Sequence, residues 1–242
     1  MNKVVQLNLV PRQSLSESVY QQLKLKIISH EIGAGAELPS ERALTEMLGV
    51  NRGAVREAIK RLQQAGLVAV RQGGNHVVLD YLDEGGLELL STLLVDRRGN
   101  INPAVARSIM SLRASLAPDI AASAADKGGA RLADTLDPLL DQMRAAGKDV
   151  GQLQELALQF WGLLVNAGGN IAFRLAFNSM NRTYRGAWKL LTRVLEAEFR
   201  DLDNLQALAD AVRRRDGARA RSCAVKHVAI GTREMDRALR NL

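Results

Sequence analysis

Cysteine and aromatic residues are both scarce in this chain of 242 residues. Cys223 is its single cysteine, and Phe, Trp and Tyr together make up 4% of the sequence. One cysteine excludes an internal disulfide framework and is compatible with a reducing compartment. The scarcity of aromatic residues, beside abundant Ala, Leu and Arg, favours helices over sheets.

Long apolar runs are also missing. No segment reaches the roughly 20 apolar residues that a membrane-spanning helix needs. Residues 1–10 are too short and too mixed in character for a secretory signal. Apolar residues nevertheless make up 47% of the chain, which is enough for a hydrophobic core. We therefore expect a soluble, cytoplasmic protein with no membrane partner.

The chain carries a clear excess of positive charge. The formal net charge is +7 and the isoelectric point is about 9.9. Such an excess fits a polyanionic partner, because Lys and Arg on phosphates release condensed counterions. The alternative is that the charge only keeps the protein soluble. Charge alone leaves these two interpretations evenly balanced.

Turn and capping residues in the first third of the chain predict an ordered series of short elements. A first helix is predicted to end near residue 30. Ser40 is a suitable N-cap for a second helix, which Gly49 ends, and Asn51 is a suitable N-cap for a third. Two β-prone stretches follow at 67–70 and 77–79, separated by a turn-rich tip. The order helix, helix, short turn, helix and hairpin predicts a winged helix-turn-helix.

The rest of the chain is dominated by helical periodicity. Apolar residues recur every three or four positions from residue 87 onward, which predicts about seven helices packed as a bundle. The predicted fold class is therefore mostly α. We place the winged domain at 1–79, a linker at 80–86, and a helical domain for effector binding and dimerisation at 87–242.

The third helix has two faces with different chemistry. Its apolar stripe is formed by Val55, Ile59 and Leu62. Arg52, Gly53 and Arg56 project from the other side of its first turns, where a recognition helix meets base edges. Arginine there can bind guanine through two hydrogen bonds, and Arg42 in the second helix can reach a base or a phosphate. The alternative is that each is an ordinary solvated arginine paired with a glutamate.

The hairpin tip carries small polar residues. Gln72 and Gly73 begin a run that continues through Gly74, Asn75 and His76. Exposed backbone and short polar side chains of this kind can enter a minor groove or contact phosphate. The alternative is a tight hairpin with no further role, since Gly-Gly-Asn also suits a turn.

One long segment resembles a known family. Residues 37–67, ELPSERALTEMLGVNRGAVREAIKRLQQAGL, resemble the N-terminal domain of the GntR family of bacterial regulators. The resemblance implies a homodimer that binds a short palindromic operator in double-stranded DNA. It implies operator contacts from Arg42, Arg52 and Arg56, with Asn51, Gly53, Gln72 and Gly73 nearby.

The helical half resembles the effector domains of the FadR subfamily. The resemblance rests on Leu112-Arg113, on Phe160 before the segment 168–170, and on Asp216 eleven residues before His227. Many members of that subfamily bind a metal through one Asp and three His. In this chain the first three of those positions hold Ala157, Trp161 and Leu205, and only His227 remains. We therefore predict no metal and no cofactor, with His227 as a helix residue bonded to a neighbour.

The missing metal ligands move the resemblance towards the metal-free, fatty-acid-responsive branch of the subfamily. This implies a fatty acyl-CoA or another carboxylate metabolite as effector. Arg113 is the candidate to receive a carboxylate or phosphate; the alternative is an Arg that bridges helices. The other candidate effector contacts are Asn170, Tyr184 and Trp188, although Tyr184 and Trp188 also suit a core.

Two other functional classes compete with a regulator. An enzyme acting on acyl thioesters is one, but the sequence lacks a nucleophile elbow, a P-loop, a dinucleotide-binding fingerprint and paired-His metal spacing. A DNA-binding protein of the nucleoid without sequence preference is the other; it fits the charge but not the large second domain. The sequence predicts a sequence-specific transcriptional regulator, not an enzyme, whose operator affinity a small-molecule effector modulates.

Overall fold

The computed structural model of the protein describes residues 15–71, 75–95 and 99–240. The chain divides into two compact units, Met1–Leu89 and Leu90–Leu242. Residues 80–86, predicted as a linker, lie in the first unit and include the short helix α4, which is numbered with the other elements below.

The first unit contains four helices and a hairpin within the described residues. They are α1 (Leu15–Ile28), α2 (Glu41–Leu48), α3 (Arg52–Gln64), β1 (Val68–Val70), β2 (His76–Val78) and α4 (Tyr81–Glu84), followed by a 3-10 turn (Leu87–Leu89). The predicted winged helix-turn-helix is confirmed. The strands differ from the predicted stretches by one residue at their ends.

Caps define the short connection between α2 and α3. Gly49 ends α2 with a φ of 63°, a left-handed conformation that favours glycine. Two residues later the Asn51 side-chain oxygen accepts a hydrogen bond from the Ala54 backbone N–H at 2.9 Å and begins α3. The turn between the two helices is therefore determined by local chemistry.

Strands β1 and β2 pair antiparallel, with Val70 opposite His76. A bridge between Glu37 and Val77 adds a third short stretch of chain to this sheet. The wing therefore grows from a base that is bonded on both sides of β2.

The core of the first unit lies between α1 and α3. The α1 residues Val19, Leu23 and Ile27 are buried, as are Val55, Ile59 and Leu62 of α3. These two helices pack directly against each other. Because the apolar stripe of α3 is used in this contact, its opposite face is turned to solvent.

The second unit is a helical bundle, as predicted. Its helices are α5 (Leu90–Leu94), α6 (Pro103–Ala146), α7 (Val150–Gly168), α8 (Ile171–Gly186), α9 (Trp188–Val194), α10 (Glu196–Phe199), α11 (Leu202–Arg213) and α12 (Gly217–Arg240). Helix α6 packs against α7, α11 and α12. It is broken at Gly129, whose φ of 58° and ψ of −151° are non-helical.

No helix in the described part of the chain combines the length and the apolar character required to cross a membrane.

Candidate nucleic-acid interface and ligand pocket

The first turn of α3 presents polar residues to solvent. Arg52, Gly53 and Arg56 are all exposed, while Val55, on the other side of the helix, is fully buried. Among the described residues Arg52 has no ion-pair or hydrogen-bond partner for its guanidinium. The structure thus brings the predicted arginines of α3 to one exposed face and leaves Arg52 available to a ligand.

Arg56 is held by a neighbour on α2. Its Nε donates to Glu41 Oε2 at 2.7 Å, and the Arg56 side chain is 65% exposed. The hydrogen bond and charge of Glu41 raise the pKa of Arg56 above its ordinary value. Exposed ion pairs contribute little to stability. Glu41 therefore orients Arg56 beside the start of α2 without burying it.

The remaining residues predicted to contact DNA also have neighbours within the first unit. Arg42 is exposed, with its Nε 3.9 Å from Glu46 Oε1 one turn along α2. Asn51 uses its side-chain oxygen as the N-cap of α3. A Cβ on Gly53 would lie 3.3 Å from that oxygen, so a larger residue would crowd the cap.

The wing tip is only partly described. Gln72 and Gly73 lie outside the described residues. At the base of the tip, the Arg71 backbone N–H donates to the Asn75 carbonyl at 2.8 Å, and Asn75 Nδ2 donates to Glu37 Oε2 at 3.1 Å. Asn75 thus anchors the base of the tip, and Arg71 is exposed there.

A pocket opens in the second unit among α6, α7, α8, α10 and α12. It contains about 660 Å³ of empty space, including the part that is open to solvent. Its apolar walls include Leu116, Ile120, Leu158, Phe177, Met180 and Phe199. A concave, mainly apolar cavity with a few polar groups is typical of a small-molecule site.

A buried ion pair forms part of the pocket wall. Arg113 Nη1 donates to Glu198 Oε2 at 3.2 Å, and Arg113 Nη2 donates to Glu198 Oε1. Their side chains are 11% and 2% exposed. Burial lowers the pKa of Arg113, but the charge of Glu198 raises it more, so the guanidinium stays protonated. Arg113 thus bridges α6 and α10, and its contact with an effector stays a prediction.

Glu198 was not predicted from the sequence. A signal for it exists, because Leu191, Leu195 and Glu198 follow an i, i+4, i+7 pattern in the sequence and all three are buried. An acidic residue on an apolar stripe needs a buried partner. Gly231 of α12 provides the room, since a Cβ there would lie 1.9 Å from Glu198 Oε2.

Four further polar side chains line the same pocket: the half-buried Asn181 and three that are buried. Gln154 Nε2, Trp161 Nε1 and Tyr184 Oη are buried, and none has a hydrogen-bond partner within the described structure. The Arg113 guanidinium lies 5.7 Å from the centre of the Tyr184 ring. Burial raises the pKa of Tyr184 to about 12, so its hydroxyl keeps its proton at neutral pH.

Two predicted effector contacts do not line this pocket. Asn170 is exposed, and its side-chain oxygen caps α8 by accepting from the Ala172 and Phe173 backbone N–H groups. Trp188 is half-buried at the start of α9. Of the residues predicted for the effector, the structure therefore brings together Arg113 and Tyr184.

The positions compared with a metal site have other surroundings. Ala157 and Trp161 line the pocket, and Leu205 is fully buried in α11. His227 is 1% exposed, and its Nδ1 lies 2.9 Å from Asp201 Oδ2. Because a carboxylate only accepts, the His227 ring donates this hydrogen bond. The described residues contain no group of three His, Cys, Asp or Glu side chains that could hold a metal.

Comparison with known proteins matches each unit to a family. Residues 15–78 match the gntR family of bacterial regulatory proteins, and residues 108–229 match the FCD domain. The HTH-type transcriptional regulator Mce2R of Mycobacterium tuberculosis is 38% identical over 205 residues, which cover 84% of each chain. The HTH-type transcriptional regulator Rv0494 of the same species is 29% identical over 86% of this chain and 84% of its own.

Two further similar proteins differ in how much of this chain they cover. The HTH-type transcriptional repressor NanR of Salmonella newport is 45% identical over 62 residues, or 26% of this chain and 24% of its own. The solved structure of Lar from Listeria monocytogenes has a TM-score of 0.59 at 17% identity, covering 98% of this chain and 99% of that one. The second likeness shows the fold alone. The chain therefore belongs to the GntR family, as a DNA-binding transcriptional regulator, not an enzyme, with an FCD effector-binding domain.

Proposed function

We propose that this regulator reads its operator with the exposed first turns of α3. The observation that carries the proposal is Arg52, which is exposed and unpartnered among the described residues while Val55 holds the helix in the core. An arginine placed there can donate to guanine O6 and N7 in the major groove. Arg56 gives up its exposed hydrogen bond to Glu41 and donates to the duplex instead.

The other predicted residues take supporting roles in this proposal. Arg42 at the start of α2 contacts a phosphate, which positions the domain without reading sequence. Asn51 and Gly53 lie beside the duplex, where the small size of Gly53 allows close approach. The wing residues Gln72 and Gly73 contact the minor groove or a phosphate next to the recognition helix.

The regulator acts in the cytoplasm as a homodimer on a palindrome, since two copies of the winged domain match two half-sites. The effector enters the pocket of the FCD domain and shifts operator affinity. The sequence resemblance to the fatty-acid-responsive branch of the FadR subfamily supports an acyl group, such as that of an acyl-CoA. The apolar walls formed by residues such as Leu116, Phe177 and Met180 suit such a chain.

The test replaces the two arginines of α3 together. The duplex is first selected by the wild-type protein from a randomised pool, and binding is then measured by fluorescence anisotropy. Arg52→Ala with Arg56→Ala should lower affinity for the selected duplex by at least about thirtyfold, because each bidentate contact is worth about 1–3 kcal/mol. The preference over random DNA should fall with it.

A matched control removes the same charge elsewhere. Arg144→Ala with Arg237→Ala takes two exposed arginines from the second unit and should leave the preference for the selected duplex intact. An equal loss in both double variants would show that net charge, not the face of α3, determines binding. Unchanged selectivity in the α3 variant would contradict the proposal.

A further inference from the structure

We propose that the pocket selects a neutral ligand with an apolar body and a carbonyl oxygen, such as an ester or thioester, and disfavours the corresponding free carboxylate. This inference rests on the proposed function, in which the pocket of the FCD domain holds the effector. It narrows the chemistry of that effector from the side chains that line the cavity.

The charged groups of the pocket wall disfavour an anionic ligand. Arg113 is the lining residue that would attract an anion, but its two Nη groups already donate to Glu198. The pair is buried and its net charge is zero. A ligand carboxylate would add an uncompensated negative charge near Glu198 in a low-dielectric site, which costs desolvation energy without a free counter-charge. A neutral ligand avoids that cost.

Buried hydrogen-bond donors of the pocket lack acceptors. Gln154 Nε2 and Trp161 Nε1 can only donate, and the hydroxyl of Tyr184 carries its proton at neutral pH. All three residues line the pocket, are at least nine-tenths buried, and have these atoms unpartnered within the described structure. A buried donor without an acceptor is costly. A ligand that supplies an acceptor oxygen removes this cost.

The Gln154 side chain contacts the Thr192 hydroxyl. Its Oε1 and the Trp188 carbonyl share the single proton of that hydroxyl, and its Nε2 is the end without a partner. The half-buried Asn181 adds an amide that can both donate and accept, so the bias towards donors belongs to the buried, unpartnered groups of the pocket. An ester or thioester carbonyl is an acceptor without charge and satisfies both this bias and the neutral ion pair.

The test compares two probes that differ only at the head group. Octanoate and methyl octanoate are titrated into the full-length protein by isothermal titration calorimetry at neutral pH. We expect methyl octanoate to bind at least about tenfold more tightly than octanoate. Equal or tighter binding of octanoate, or no binding of methyl octanoate up to its solubility limit, overturns the proposal.

A substitution of Glu198, the negatively charged partner of Arg113, tests the role of charge directly. Glu198→Gln keeps the size of the side chain but leaves the charge of Arg113 unpaired, so octanoate should gain affinity and the preference should reverse. Glu196→Gln is the matched control. Glu196 lies two residues before Glu198, but its side chain is exposed and pairs with Arg200. This variant should have the wild-type preference. A folded Glu198→Gln variant with the wild-type preference contradicts the charge argument.

Tyr184→Phe provides a second test that does not depend on the folding of the Glu198 variant. Loss of this hydrogen-bond donor should lower the affinity for methyl octanoate by roughly fivefold and change the affinity for octanoate less. Equal affinity of wild type and variant for methyl octanoate contradicts the donor argument. Failure of the proposed function gives a different result: methyl octanoate binds with the expected preference but leaves DNA affinity unchanged.

Discussion

Two acidic side chains of the FCD domain are held by partners from distant parts of the chain. Glu198 receives Arg113 from α6, and Asp201 receives the ring N–H of His227 from α12. Asn204 Nδ2 also donates to both oxygens of Asp201. Burial raises the pKa of Asp201, but the hydrogen bonds from His227 and Asn204 and the charge of His227 lower it more, so it lies below its ordinary value.

The lowered pKa gives Asp201 a pH-dependent share of stability. Its ionised form stabilises the fold above the unfolded-state pKa of about 4, and this share disappears as the pH falls through the lower folded-state pKa. Asp201→Asn should lower the free energy of unfolding by about 1–2 kcal/mol at pH 7. The difference from wild type should shrink as the medium becomes strongly acidic, as measured by urea unfolding across a pH series.

Asp203→Asn is the control for this experiment, because Asp203 is an exposed carboxylate on the same turn of α11. It should leave stability nearly unchanged at every pH. If the free energy of unfolding of Asp201→Asn stays below that of wild type by a constant amount down to strongly acidic pH, the hydrogen bonds to Asp201 do not depend on its ionisation.

At the scale of elements, α3 must satisfy two demands with one short stretch of chain. Its buried stripe packs against α1, and its exposed first turn is proposed to face DNA. Asn51 is where the two demands meet, since its oxygen caps the helix and its position is beside the proposed operator contacts. Two substitutions at this residue can separate the demands.

Asn51→Ala should lower the free energy of unfolding by about 1 kcal/mol through loss of the cap. Asn51→Asp keeps a good capping oxygen, so its stability should stay near that of wild type. The new negative charge beside the phosphates should nevertheless weaken DNA binding. Thermal melting and fluorescence anisotropy on the selected duplex measure the two effects.

The matched control is Asn102→Ala, which removes the N-cap of α6 in the other unit. It should lower stability by a similar amount and leave affinity for the duplex unchanged. If Asn51→Asp binds the duplex as tightly as wild type, Asn51 is a cap and takes no part in the interface.

At the scale of the whole molecule, the proposed modulation of operator affinity by an effector requires the two binding events to be linked. If methyl octanoate changes the affinity for the selected duplex by some factor, the duplex must change the affinity for methyl octanoate by the same factor. We expect a factor of roughly five or more, the lower end of measured couplings. Calorimetric titration of methyl octanoate with and without saturating duplex, beside anisotropy with and without the ligand, measures both sides.

The Arg52→Ala, Arg56→Ala double variant is the control for linkage. It should bind methyl octanoate like the free wild-type protein, and addition of the duplex should no longer change that affinity. Unequal factors in the two directions for the wild-type protein would show that the probe acts on a site other than the one coupled to DNA.

Much of the first unit could be predicted because its determinants are local. Asn51 caps α3, Gly49 ends α2, and the spacing of Val55, Ile59 and Leu62 decides which side of α3 is buried. Once that side is known, the exposure of Arg52 and Arg56 follows from helical geometry. Each of these features depends on residues that lie within about two helical turns of each other.

The pocket depended on contacts that sequence spacing does not reveal. Arg113 and Glu198 are 85 positions apart, and their pairing is decided by how α6 and α10 both pack against α7 and α12. The same packing excludes Asn170 and Trp188 from the pocket lining, although both lie close in sequence to lining residues of α8.

The sequence by itself therefore determined the order of elements, the helical class of the second unit and the exposed face of α3, since these follow from periodicity and caps along the chain. Only the tertiary structure decided that Arg113 is neutralised and that three buried donors share its pocket. The physical reason is that the charge and hydrogen-bonding capacity of a cavity depend on which distant side chains meet there.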